Sequence, residues 1–202
     1  MIRAWRKNLR LLPTIVNEYI HGVDFSVFEE HEGSDSKFHD SNPYERSSSV
    51  LINKFLALYP PSASDSFLDV GCGKGIVFTY VKNLPFRKLA GIESSKRLAS
   101  IAERNMSRLN IPAAIINADA ADFSGYDDFS YIYMFNPFGE KTMNAMADEI
   151  RGSLVRCPRT IVIAYSHPQY DSVWTSMASE KHWFEAKIDG LSHAMAVYKL
   201  NN

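Results

Sequence analysis

The sequence is poor in anything that would staple or anchor it. Of its 202 residues only two are cysteine, Cys72 and Cys157. They offer no disulfide framework and no paired metal spacing, a usage that fits a reducing cytoplasm. No apolar run approaches the roughly 18–20 residues needed to span a bilayer. Neither sign of charge dominates: the net charge is −1 and the pI about 6.6. That balance supplies no global pull towards nucleic acid and lowers it as a partner. There is no internal repeat and no low-complexity tract. His31, Asp35, His39 and Asp40 share one polar stretch but lack a spacing that fixes geometry, so no metal site is expected. What remains is ordinary for a soluble globular chain, 46% apolar and 22% charged. Its length is enough to bury a core without a staple.

The N-terminus carries Arg3, Arg6, Lys7 and Arg10 ahead of Leu11, Leu12, Ile15 and Val16. Pro13, Asn17 and Glu18 interrupt the apolar part and no small-residue cleavage site follows, so an export signal is rejected. Ile2, Trp5, Leu9 and Leu12 recur at helical spacing. Such a helix packs on its own domain or, as the alternative, lies on a membrane surface or a partner through residues 1–16. Residues 31–42 are polar and turn-rich. Residues 1–42 are therefore read as a helix-and-loop extension that could serve as a lid, and residues 43–202 as the main domain.

That domain alternates regularly. Pro43-Tyr44-Glu45-Arg46-Ser47 is expected to open a helix that Pro60-Pro61 ends. Strands are expected at Phe67–Val70, Lys88–Ile92, Ala113–Ile116, Phe129–Phe135 and Thr160–Tyr165. Helices are expected between them at Ile76–Leu84, Ser95–Leu109 and Lys141–Ile150, with a short one at Tyr170–Met177. His182–Ile188 and Ala194–Leu200 read as a closing hairpin turned by Asp189-Gly190. The class is α/β: a Rossmann-like, seven-stranded, mostly parallel sheet with an antiparallel C-terminal hairpin and helices on both faces.

In such sheets ligands bind outside the carboxyl ends of the strands. Each loop after a strand is therefore a candidate, and four in a row end in a polar or glycine feature. The first is Asp69-Val70-Gly71-Cys72-Gly73-Lys74-Gly75. Alternating glycines admit a ligand against the backbone. Their spacing is not the dinucleotide fingerprint, and the Gly-Lys-Ser/Thr ending of a P-loop is absent. The plainer alternative is a tight strand–helix turn. Glu93 ends the second strand, placed to accept both hydroxyls of a ribose, while Lys96 and Arg97 keep a 2′-phosphate open. Its plainer role is a helix-capping acid. Asp119 could meet an adenine amino group, or be an ordinary loop aspartate.

This combination resembles the class I S-adenosylmethionine-dependent methyltransferases from about Tyr44 to the C-terminus. The resemblance implies S-adenosyl-L-methionine as cofactor and a methyltransferase activity (EC 2.1.1.-) in the cytoplasm. It implies that Asp69, Gly71, Cys72 and Gly73 carry the methionine end, Glu93 with Ser94 the ribose, and Asp119 with Ala120 the adenine. Asn136-Pro137-Phe138 is similar to the Asn/Asp-Pro-Pro-Tyr/Phe motif of methyltransferases acting on nitrogen, with one proline missing. There Asn136 would orient the acceptor and also touch the cofactor, Pro137 would stiffen the turn and Phe138 would wall the site. The plainer alternative is a rigid turn with Phe138 as packing. Pro43-Tyr44 further resembles a bacterial subgroup distantly similar to non-SET lysine methyltransferases, which implies that Tyr44 and Ser47 close over the methionine end. The expected reaction is methyl transfer to nitrogen on a protein side chain or small molecule. The alternatives are small-molecule O-methylation, with His167 as a base, or a non-catalytic cofactor-binding module.

Overall fold

The computed structural model describes residues 12–27, 47–188 and 190–201. Pro43, Tyr44 and most of the expected lid lie outside the described residues. The order is α1 (Leu12–Ile20), α2 (Ser49–Leu58), β1 (Ser66–Val70), α3 (Ile76–Val81), β2 (Lys88–Glu93), α4 (Lys96–Arg108) and β3 (Ala113–Asn117). A 3-10 turn at Gly125–Asp128 leads into β4 (Tyr131–Phe135). Then come α5 (Glu140–Arg156), β5 (Ile161–Ser166), α6 (Asp171–Thr175), β6 (Glu180–Ile188) and β7 (Leu191–Leu200). One seven-stranded sheet runs β3-β2-β1-β4-β5-β7-β6, parallel except where β7 pairs with β5 and β6.

Alternation along the strands sorts the core onto two faces. Leu68, Val70, Ile132, Met134, Ile163 and Tyr165 meet α5 through Met143, Met146 and Ile150. Phe67, Tyr131, Tyr133, Val162 and Ala164 meet Phe55 of α2 and Phe78 of α3 on the other. The central strands are buried almost from end to end and mostly apolar, because both faces are covered. β6, at the sheet edge, alternates half-buried and exposed residues instead.

Several expected boundaries shift by a few residues, and three of the shifts have a local reason. The helix before the first strand begins at Ser49, because the Ser48 hydroxyl accepts from the Val50 N–H and caps it there. The helix expected to stop at Ile150 runs on to Arg156 and ends at Cys157, where Pro158 disfavours helical backbone in the residue before it. The fourth strand starts two residues later than expected, because the 3-10 turn takes Phe129 as its C-cap.

The chain passes from β1 outward through β2 and β3, then returns to lay β4 on the other side of β1. The strand order therefore reverses between β1 and β4. Their carboxyl ends carry the glycine loop and Asn136-Pro137.

Candidate functional site

β1 projects Asp69 on the same face as Phe67, against the β4 residue opposite it in register, Tyr133. Asp69 is buried, and among the described residues its Oδ2 has no hydrogen-bond partner. Burial first, and the Glu93 carboxylate second, push its carboxyl well above the ordinary range. The chain then turns back over β2: Gly71 and Cys72 both donate N–H to the Ile92 carbonyl at 2.9 Å. Gly71, Gly73 and Gly75 have φ of 73°, 55° and 82°, the left-handed region that favours glycine. The Cys72 thiol packs down onto β2, so close to Gly91 that a Cβ there would lie 2.7 Å from Sγ. Burial and then the Asp69 and Glu93 charges push this thiol up, which keeps it protonated and inert.

Glu93 is a stitch as well as a strand end. One carboxylate oxygen accepts from Gly73 N–H at 2.9 Å and the other from Ser95 N–H at 2.8 Å. The capping contact therefore coexists with a contact to the glycine loop. Ser94 is held by Asn117, whose Nδ2 donates to the Glu93 and Ser94 carbonyls at 2.8 and 2.9 Å. Asp119 accepts from Ala121 N–H at 2.9 Å and so shapes its own turn. Ala120 is buried and its carbonyl accepts from the Tyr126 hydroxyl at 2.9 Å.

Across the crevice, Asn136 has φ of 34°, a strained value that asparagine tolerates better than most residues. Its Oδ1 accepts from the Tyr165 hydroxyl at 3.1 Å, and its N–H donates to the Ser166 carbonyl at 3.1 Å. Pro137 packs directly on the glycine loop: a Cβ on Gly71 would lie 2.6 Å from Pro137 Cβ. Phe138 corrects an expectation. Its ring is buried in the cluster shared with α5, so it serves as core packing rather than as an open wall. The half-buried ring at this end is Phe135, whose centroid lies 4.9 Å from that of His167. Ser47 is buried beside the site, its carbonyl accepting from Tyr80 at 3.2 Å.

Sequence reasoning missed Tyr165, Asn117 and Asn105. Asn105 did leave a signal, because it shares the inward side of its helix with Ile101, Ala102 and Met106. Tyr165 left none. A groove of about 290 Å³ lies between α1 and α3, lined by Thr14, Glu18, Ile76 and Thr79. Among the described residues no group of three or more His, Cys, Asp or Glu is arranged to hold a metal ion, and no helix is long and apolar enough to cross a membrane.

Residues 67–156 match the family described as a methyltransferase domain. These residues form a methyltransferase domain. Such domains use S-adenosylmethionine. The methyltransferase domain is similar to a release factor glutamine methyltransferase of Caulobacter vibrioides, 26% identical over 106 residues that cover 50% of this chain and 37% of that protein. The chain thus spans little more than a third of that curated relative. Among solved structures it resembles an RNA methyltransferase from Salinibacter ruber in complex with S-adenosyl-L-homocysteine, with a TM-score of 0.53 and 13% identity over 78% of this chain and 95% of that one. It also resembles an S-adenosylmethionine-dependent O-methyltransferase from Thermotoga maritima, with a TM-score of 0.58 and 13% identity over 76% and 65%. At that identity the likeness is one of fold.

The methyltransferase domain's own residues fit this cofactor on two observations. Left-handed glycines leave backbone open where a ligand must lie close. The Asp69 oxygen that has no partner among the described residues, and the nearby Glu93, offer acceptors to which an ammonium or ribose hydroxyls could donate.

Proposed function

We propose that this chain transfers a methyl group from S-adenosylmethionine to a nitrogen on a protein side chain or small molecule. One observation carries the reading: Pro137 packs on Gly71, which brings Asn136 to the glycine loop at the point where strand order reverses. The bound cofactor supplies an electrophilic methyl on a sulfonium. The chain's task is alignment and desolvation rather than strong base chemistry. The Tyr165 hydroxyl donates to Asn136 Oδ1 and so fixes the side chain that would orient an acceptor amine. Asp69, Gly71 and Gly73 would hold the methionine part, Glu93 and Ser94 the ribose, and Asp119 the adenine. The name of the Caulobacter vibrioides relative gives a glutamine acceptor, which supports nitrogen on a protein.

A second reading, oxygen methylation assisted by a base, is favoured by one contact. His167, at φ 52° after β5, lies 2.9 Å from His193 Nδ1 through its Nε2. Two variants separate the readings in a label-transfer assay with candidate acceptors. For nitrogen transfer, Asn136→Ala should cost on the order of 100-fold in rate, the scale of a misaligned acceptor. His167→Ala should then cost little. The reverse pattern supports the base-assisted reading. Calorimetry that finds no affinity for S-adenosylmethionine or S-adenosylhomocysteine overturns both. Binding without transfer to any acceptor points instead to a cofactor-binding module.

A further inference from the structure

The reading above leaves one buried charge unused. Lys74 sits between Gly73 and Gly75, and its side chain is 0% exposed. Lysine is almost never buried to this degree without partners. Its Nζ donates to both carboxylate oxygens of Asp24 at 2.8 Å and to the Val27 carbonyl at 2.8 Å. Asn105 of α4 ties both partners together. Its Nδ2 donates to the Asp24 and Lys74 carbonyls at 2.8 and 2.9 Å, and its Oδ1 accepts from Asp24 N–H at 2.9 Å. Glu18 of α1 fixes the segment that presents Asp24 and Val27. Its carboxylate accepts from Phe25 N–H, Ser26 N–H and the Ser26 hydroxyl at 3.0, 2.9 and 2.6 Å.

We propose that Lys74, Asp24 and Asn105 are positioning residues for the cofactor loop, and that residues 18–27 form a built-in part of the cofactor site rather than an appendage to it. The proposal rests on the S-adenosylmethionine reading. A loop with three left-handed glycines has much conformational freedom to lose when it orders. Glu93 fixes it from one side through Gly73 N–H. The Lys74 side chain and carbonyl fix it from another, through the N-terminal segment and α4. Loss of the Asp24 charge takes a counter-charge at 2.8 Å away from a buried ammonium. The ammonium then moves towards solvent and draws the backbone of Gly73 and Gly75 with it. None of the three residues needs to touch the cofactor, because they act through the shape of the loop.

The test uses the full chain and four variants: Asp24→Asn, Asp24→Glu, Lys74→Met and the double variant D24N/K74M. Calorimetric titration with S-adenosylhomocysteine is paired with the melting temperature of the ligand-free protein. Asp24→Asn and Lys74→Met should each weaken binding on the order of 10- to 100-fold, and the double variant should be no weaker than Lys74→Met alone, because the two residues act as one unit. Asp24→Glu keeps the charge and should retain affinity within about threefold. Asp24 is 34% exposed, so its neutral isostere is compatible with folding and decides the matter even where Lys74→Met does not fold. A lowered melting temperature with unchanged affinity in Asp24→Asn overturns the proposal by reducing the node to a structural tie. Wild-type protein that fails to bind overturns the cofactor reading itself, a result distinct from wild type and variants binding equally.

Discussion

Gly71→Ala is expected to destabilise the protein and to disable its cofactor site together. Gly71 holds φ of 73°, and the new methyl would lie 2.6 Å from Pro137 Cβ. The left-handed backbone costs an alanine about 1–2 kcal/mol. Overpacking against a rigid ring adds about 1–3 kcal/mol. For a chain of this length the sum lowers the melting temperature on the order of 10 °C. Relief by moving Pro137 spares stability but pushes Asn136 off the loop, so affinity for S-adenosylhomocysteine falls either way. Gly190→Ala is the control: its φ is 81°, but no atom lies within 4 Å of the added methyl. It should show only the backbone strain, about 1–2 kcal/mol, and unchanged binding. Scanning calorimetry and titration on both variants check this. Wild-type melting and affinity in Gly71→Ala would show that the loop and the Asn136-Pro137 turn are not mutually constrained.

Asp69→Asn is expected to move stability and binding in opposite directions. The buried carboxyl titrates well above its ordinary range, because burial and the Glu93 charge both oppose ionisation. The sign follows directly. Below about pH 4 the carboxyl is protonated in both states and contributes no penalty. As the pH rises through that value the unfolded chain releases its proton while the folded one retains it, and the folded state loses stability until its own raised pKa is passed. The neutral amide escapes this loss. The variant should therefore melt higher than wild type without ligand, with a gap that widens from about pH 4 upward and then levels. With a carboxyl that can ionise on binding replaced by a neutral amide, affinity for S-adenosylhomocysteine should fall on the order of 10-fold or more. Melting curves across the pH range, with and without ligand, test both halves. A variant that melts lower than wild type at pH 8 would show that Asp69 stabilises the ligand-free fold.

Much of this architecture was legible because it rests on local chemistry. Phe67 to Val70 is apolar but for Asp69 and ends at alternating glycines, and a strand into a left-handed loop is nearly the only structure that suits it. The hairpin was legible for the same reason, since its turn needs a positive φ that Gly190 adopts. The roles of individual side chains were less so. Phe138 carries the same aromatic ring in a site wall or in a core, and only the packing of α5 against the sheet decides which. Tyr165 lies 29 residues from Asn136, and Asp24 lies 50 from Lys74. No periodicity within either segment reports such a pairing.

By itself, then, the sequence determined the alternation of strands and helices, the glycine loop and the acids that end its strands, because these follow from propensity, φ preference and spacing along one segment. Only the tertiary structure decided that strand order reverses between β1 and β4, which sets Pro137 on Gly71. It also decided that a lysine inside the glycine loop is buried against an aspartate from the N-terminal segment. Both contacts join residues far apart in the chain. Their energies depend on burial and on the closeness of the partner, and neither quantity exists until the sheet has assembled.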